Sequence, residues 1–436
     1  MTRNICLACI IFVFLSPATP AASQNEQFIP VLAYRTGVYA VSGQPYVNGE
    51  VDYYKLINAR DGGIGGIKIL FEECETGYAT DRGLECYERL KRKGPTGAAF
   101  IVPRSTGVTF ILTDRANTDK IPLLTPGFGR AASKDGSVFI WNFPLLGTHW
   151  SAADILIQHI AKEIGGAEKL GGKKIALLFH DSPYGKEPIP ALLALAHKYK
   201  FEFRAIPVPH PGLEQEAQWR NIRQDQPDYV LLWGWGLMNS AAIKHAAATG
   251  YAREKMIGVW WSGSEPDVRP AADAAKGYKV LMLQHGSGKV AVHGALERYV
   301  YANASAKAGD IGEMLYNRGL IGAMLGVEGI RKAQEKFGKK PLTGEQVRWG
   351  LEHLDLDTAR IKELGFEGMM MPVKTSCADH EGARTARIAQ WDGGAWKVIS
   401  DWYTADETVT EPIVREMAAK YAAEKGIKPR DCSKEG

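Results

Sequence analysis

The strongest constraint on this chain is a rhythm: short apolar runs alternate with amphipathic stretches of helical period. Strand-length runs lie at 28–33, 68–72, 98–102 and 123–125, with helical stretches at 49–61, 82–91 and 109–117 between them. After Trp150 the alternation restarts. Helices at 152–164, 188–200, 215–223 and 240–249 are interleaved with strand runs at 174–180, 203–207, 229–233 and 256–261. Strands joined through helices run parallel, and the helices then cover both faces of the sheet. The expected fold is therefore α/β, with two doubly wound parallel sheets, one from each pass of the rhythm. The likeness of the two passes is one of pattern, without a strict sequence repeat. A long helical region at 313–337, a hairpin at 387–401 turning at Gly393-Gly394, and a helix with a polar tail after about residue 404 complete the chain.

Composition excludes several classes. The 436 residues carry 53 Lys and Arg against 49 Asp and Glu, a net charge of +4, too small for a nucleic-acid surface or a polybasic membrane anchor. Residues 1–4 carry one basic side chain, Arg3, and residues 5–15 are all apolar. Pro17 ends that run, and small residues follow. This is the layout of a secretory signal peptide over residues 1–23, cleaved within 21–23. The run is too short to span a bilayer, which takes about 20 residues. Cys9 lies inside the run, whereas a lipoprotein cysteine would follow it, so no lipid anchor is expected. An exported, periplasmic chain can form disulfides. Four cysteines remain after the leader, Cys74, Cys86, Cys377 and Cys432, which allow three pairings. Locality favours Cys74–Cys86 and Cys377–Cys432. A zinc site is the rival reading, without C-x-x-C or paired His spacing to support it. No metal and no cofactor is expected.

Catalytic motifs are nearly missing. There is no H-E-x-x-H, no G-x-x-x-x-G-K-[ST] and no G-x-S-x-G. Gly127-x-Gly129-x-x-Ala132 is a degenerate dinucleotide fingerprint whose helix is interrupted at Lys134-Asp135-Gly136. His180-Asp181-Ser182 ends a strand, but adjacent residues rarely aim at one another as a triad must, so a loop-capping role is expected.

The loops at strand C-terminal ends carry the informative residues, where open α/β sheets bind ligands. The first pass contributes Tyr34-Arg35-Thr36-Gly37-Val38-Tyr39, Arg104-Ser105-Thr106-Gly107 at a helix start, and Gly127-Phe128-Gly129-Arg130. The second contributes Ser182-Pro183-Tyr184, Trp233-Gly234-Trp235 and Trp260-Trp261-Ser262-Gly263-Ser264-Glu265. Hydroxyls and free helix N–H groups suit a carboxylate. Aromatic rings at several strand ends suit the wall of a cleft, although any one Trp alone reads as core.

With these residues in place, the sequence resembles the periplasmic solute-binding proteins of the branched-chain amino acid (Leu/Ile/Val-binding) family over residues 27–402. Asn58-Ala59-Arg60-Asp61-Gly62-Gly63, Ile121-Pro122-Leu123-Leu124-Thr125-Pro126-Gly127, Asp181-Ser182-Pro183-Tyr184-Gly185 and Ala247-Ala248-Thr249-Gly250-Tyr251 carry the likeness by order and spacing. The resemblance implies a type I periplasmic binding fold with a three-strand hinge. Lobe I would be 27–146 with 283–370, and lobe II 147–282 with 371–402, followed by a C-terminal helix and tail at 403–436. It also implies that Ser105, Thr106, Phe128 and Arg130 hold a ligand carboxylate, and that Tyr184, Trp233 and Trp235 cover it. Tyr39 and Trp260 join the candidate set, and Arg35 is a second candidate for added charge. Amino acid binders of the family place an acid after the strand that here ends at Val259. Trp260-Trp261 stand there instead, and Glu265 is the substitute candidate for pairing an ammonium. The implied role is the monomeric binding component of an ABC importer of amino acids, amides or apolar acids. Its partners would be a small-molecule ligand, a membrane permease and an ATPase, and not nucleic acid. It would not be an enzyme. A sensor component and an exported hydrolase are the alternatives.

Overall fold

The computed structural model describes residues 25–284, 288–302 and 311–435; the expected signal segment lies outside them. Two parallel sheets form. In the first, β1 (Glu26–Ala33) pairs with β2 (Lys68–Glu75) on one side. On its other side, single bridges at Val102 and Ile101 link β1 to β3 (Leu123–Leu124), which pairs with β4 (Asn142–Phe143). The expected strand at 98–102 is thus reduced to two bridges. In the second sheet, β5 (Lys174–His180) lies between β6 (Glu202–Val208) and β7 (Tyr229–Trp233). β8 (Met256–Gly258) and β9 (Lys279–Met282) extend it in parallel from β7. Away from both sheets, β10 (Asp355–Leu356) and β11 (Val373–Lys374) form a short antiparallel pair. β12 (Thr385–Trp391) then closes the second sheet antiparallel to β9, with β13 (Trp396–Val398) and β14 (Tyr403–Thr404) on its outer side. β7 is buried along its whole length, as a strand covered by helices on both faces must be.

The chain passes between the two units after β4, after β9 and again before β12. The helix Ala40–Arg60 begins at Ala40 rather than at residue 49, running through Gly43, Pro45 and Gly49, which alone read as breakers. Tertiary burial overrides them, because this helix crosses Met314–Phe337 so closely that Gly49 and Gly319 each rest against the other helix's backbone. The last helix, Glu407–Lys425, lies across both units. Its Lys425 reaches Asp114 on the first, and Asp406 at its start meets Asp154 and Lys198 on the second.

Both local disulfides are present, Cys74–Cys86 and Cys377–Cys432. Among the described residues there is no cluster of three or more His, Cys, Asp or Glu able to hold a metal. No helix among them is long and apolar enough to cross a membrane.

Candidate ligand-binding site

Between the two units, at the C-terminal ends of their strands, lies a cavity of about 20 Å³. The first unit supplies Tyr34, Tyr46, Tyr78, Arg104, Ser105, Thr106 and Phe128; the second supplies Tyr184, Trp235 and Trp261. Each is placed by a local feature of the chain. Tyr34 directly follows β1, and Tyr78 stands in the turn after β2 at φ +64°. Arg104 also sits in the left-handed region, at φ +54°, a strained conformation for a long side chain. That turn aims its guanidinium inward, and Ser105 then caps the helix Thr106–Asp119 through the Val108 N–H at 3.5 Å. The Thr106 hydroxyl accepts the Gly129 N–H at 3.2 Å, which ties the Phe128 loop to this helix start.

The aromatic wall is continuous. Trp235 stacks on Tyr78 at 6.1 Å and meets Trp261 edge-on at 5.5 Å, and Phe128 meets Trp261 edge-on at 5.9 Å. The Tyr184 hydroxyl donates to the Gly234 carbonyl at 3.0 Å. Trp260 and Trp261 both donate their indole N–H to the Gly127 carbonyl, at 2.7 and 2.6 Å, so one carbonyl of the first unit holds two rings of the second.

The electrostatics are donor-rich. The Tyr34 and Tyr46 hydroxyls, the Trp235 indole N–H and Nε of Arg104 have no hydrogen-bond partner among the described residues. Arg104 is buried. It donates Nη1 to the Leu32 carbonyl at 2.7 Å and pairs with Glu50 behind the cavity wall. Burial lowers its pKa to about 10, which leaves it cationic at neutral pH. Arg318 is a second buried cation, 4.7 Å from the centre of the Trp261 ring, with the neutral partners Gln284 and the Pro126 carbonyl. Its pKa is likewise lowered to about 10 by burial. The cavity lining contains no carboxylate.

Of the candidates drawn from the sequence, Ser105, Thr106, Phe128, Tyr184 and Trp235 come together at the cavity. Five do not. Arg130 packs its guanidinium over Phe110 at 4.3 Å and Tyr421 at 5.0 Å, outside the cleft. Arg35, the second charge candidate, pairs with Glu73 at 2.6 Å. Trp233 is still inside β7, opposite Phe179, so its ring is core, with Nε1 3.2 Å from His149. Trp260 points away from the cavity and stacks on His149 at 6.3 Å. Glu265 accepts the Met314 N–H at 2.9 Å at the start of the helix Met314–Phe337, a capping role. Burial raises its pKa to about 7. The Tyr39 hydroxyl lies beside His180 and His210, next to the cavity and not in it. Sequence reasoning missed Tyr34, Tyr46, Tyr78, Arg104 and Trp261 as lining residues. The strand-end rule reaches all but Tyr46, which lies within a helix. Choosing Trp261 over Trp260 requires side-chain direction.

A family model of periplasmic binding proteins matches residues 26–395, so the chain belongs to the periplasmic binding protein family, in its type I, Leu/Ile/Val-binding branch. It is a substrate-binding protein of the ABC-transporter type. A solved chain described as an ABC transporter permease from the Pseudomonas fluorescens group is 45% identical, with a TM-score of 0.88, covering 94% of this chain and 100% of that one. A branched-chain amino acid ABC transporter protein from Thermus thermophilus, solved with valine, shares the fold at TM-score 0.72 and 20% identity, covering 89% and 99%. A solute-binding protein from R. palustris, solved with benzoate, does so at TM-score 0.66 and 17% identity, covering 87% and 98%. No curated protein matches the chain.

Proposed function

We propose that the chain captures a compact carboxylate whose body is aromatic or apolar and which carries no ammonium group. In this reading, lobe I (27–146 with 283–370) and lobe II (147–282 with 371–402) close over it. The closed form then docks on a membrane permease driven by a separate ATPase. The observation that carries the reading is the pairing of buried Arg104 and unpartnered donors with a lining that holds no carboxylate. Such a cavity offers a buried cation and free donors to a carboxylate, and no carboxylate to pair with an ammonium. Glu265, the acid that could have served one, is spent on the Met314 N–H. The benzoate complex of the R. palustris protein supports the ligand class. The protein acts as a receptor and turns over neither esters nor amides.

Calorimetry with benzoate and valine tests this. Benzoate binds and valine gives no heat. Arg104→Gln weakens benzoate binding by about ten- to a hundred-fold, the loss of a hydrogen bond to a charged group. Because that change strands Glu50, Tyr34→Phe is the milder companion, with a loss of about three- to ten-fold. Valine binding by the parent protein would overturn the ligand class.

A further inference from the structure

We infer that Tyr39, His180 and His210 form a clasp that holds the two units closed over the ligand, and that protonation of His180 opens it. The inference rests on the binding reading above and concerns regulation of the same cleft. Tyr39 stands in the turn between β1 and the helix Ala40–Arg60, on the first unit. His180 ends β5, and His210 follows β6, its paired neighbour, on the second unit. The Tyr39 hydroxyl lies 2.7 Å from His180 Nε2 and 2.5 Å from His210 Nδ1. The other His180 nitrogen lies 2.8 Å from the Ser182 hydroxyl, which sets the ring for Tyr39. On its other side, the Tyr39 ring packs 4.7 Å from Tyr78, a cavity wall, so the clasp abuts the ligand.

One hydroxyl can satisfy two neutral imidazoles. It donates its proton to one and accepts an N–H from the other. A protonated imidazole only donates, so a protonated His180 no longer offers the Tyr39 hydroxyl an acceptor, and a buried cation then faces the His210 ring with ring centres 5.6 Å apart. The groups around the clasp are few. Tyr78 is a neutral phenol, and Asp181 is paired with Lys186 at 2.7 Å. Burial, followed by His210, lowers the His180 pKa to about 4, with Asp181 opposing. An imidazole with a lower pKa in the closed form favours closure above its ordinary value of about 6.5 and opposes it increasingly as pH falls towards 4. Buried Glu187 and Asp267, both raised to about 7 by desolvation, act in the opposite sense, as does Glu265. A comparison between variants therefore isolates the imidazoles.

The test uses the whole mature chain. Benzoate, an anion throughout, is titrated at pH 7.5 and 5.5 into the parent, Tyr39→Phe, and the His180→Gln/His210→Gln double variant. The parent-to-double-variant ratio of dissociation constants rises about ten-fold between the two pH values, one proton's worth. Tyr39→Phe weakens binding about three- to ten-fold at pH 7.5. A ratio that stays constant overturns the clasp. In parallel, small-angle scattering of ligand-free protein shows a larger radius of gyration at pH 5.5 than at 7.5 in the parent only. An unchanged parent radius overturns the clasp whatever benzoate does. A pH-dependent radius without benzoate binding overturns the ligand reading and leaves the clasp standing.

Discussion

Glu265 shows how a single residue can be mistaken for a ligand group. It follows the strand where an ammonium partner would stand, yet its Oε2 takes the first N–H of the helix Met314–Phe337, and burial raises its pKa to about 7. A carboxyl whose folded pKa lies above its ordinary 4.5 costs stability when ionised; the cost disappears as pH falls from 7 towards 4.5 and the folded state takes up the proton. Glu265→Gln keeps an acceptor for Met314 and removes the charge. It should therefore stabilise the protein at pH 8, by up to about 3 kcal/mol, and do little at pH 4.5. Thermal denaturation at the two pH values checks this, and calorimetry should find ligand preference unchanged. A Tm lowered at pH 8 would mean that the ionised carboxylate is needed there. Trp260 and Trp261 teach a related lesson. They are adjacent and donate to the same carbonyl, yet only Trp261 faces the cavity.

At the scale of elements, the crossing of Ala40–Arg60 with Met314–Phe337 sets the position of Tyr46, which reaches the cavity from within a helix. A side chain at Gly319 would overlap the Tyr46 carbonyl, and one at Gly49 would overlap that of Tyr316. In an exposed helix Gly→Ala gains about 1 kcal/mol, but overpacking a filled contact costs about 1–3 kcal/mol, so the crossing wins. Gly319→Ala is expected to lower the Tm, and to weaken ligand binding by shifting Tyr46. Its neighbour Gly322 meets only Pro126 Cγ at 3.5 Å, so Gly322→Ala serves as the control and should be near neutral. Equal effects from the two changes would reject close packing as the cause.

Over the whole molecule, the helix Glu407–Lys425 straps the units together. It binds Asp114 and Lys134 on the first, and its start binds Asp154 and Lys198 on the second. Cys432 beyond it is tied to Cys377, closing a loop of sequence separation 55, against 12 for Cys74–Cys86. If disulfides act mainly on the unfolded chain, the longer loop should contribute about 4 kcal/mol and the shorter about 3. Cys377→Ser/Cys432→Ser should thus lower denaturant stability more than Cys74→Ser/Cys86→Ser. The reverse order would point to packing of buried Cys74 and Cys86 as the larger effect. Arg384 adds to the strap by pairing with Glu407 at 3.2 Å, so loosening the tail also disturbs the chain that leads into β12.

What the sequence alone determined is whatever depends on local periodicity and order along the chain. The alternation of apolar runs and helical stretches specified two parallel sheets. The hairpin at Gly393-Gly394, the two local disulfides and the strand-end loops followed in the same way. Those loops contain Ser105, Thr106, Phe128, Tyr184 and Trp235, and also Tyr34, Arg104 and Trp261. What only the tertiary structure decided is which of two neighbouring side chains faces the cleft, and which cation is buried there. Arg104 and Arg130 both follow a strand. One is turned inward by a left-handed backbone, while the other lies on Phe110 and on Tyr421 of the distant C-terminal helix. Likewise, Tyr39 finds His180 and His210 only because two strand ends of the second unit lie opposite the first. Side-chain direction is set by packing between segments hundreds of residues apart, and no local pattern encodes it.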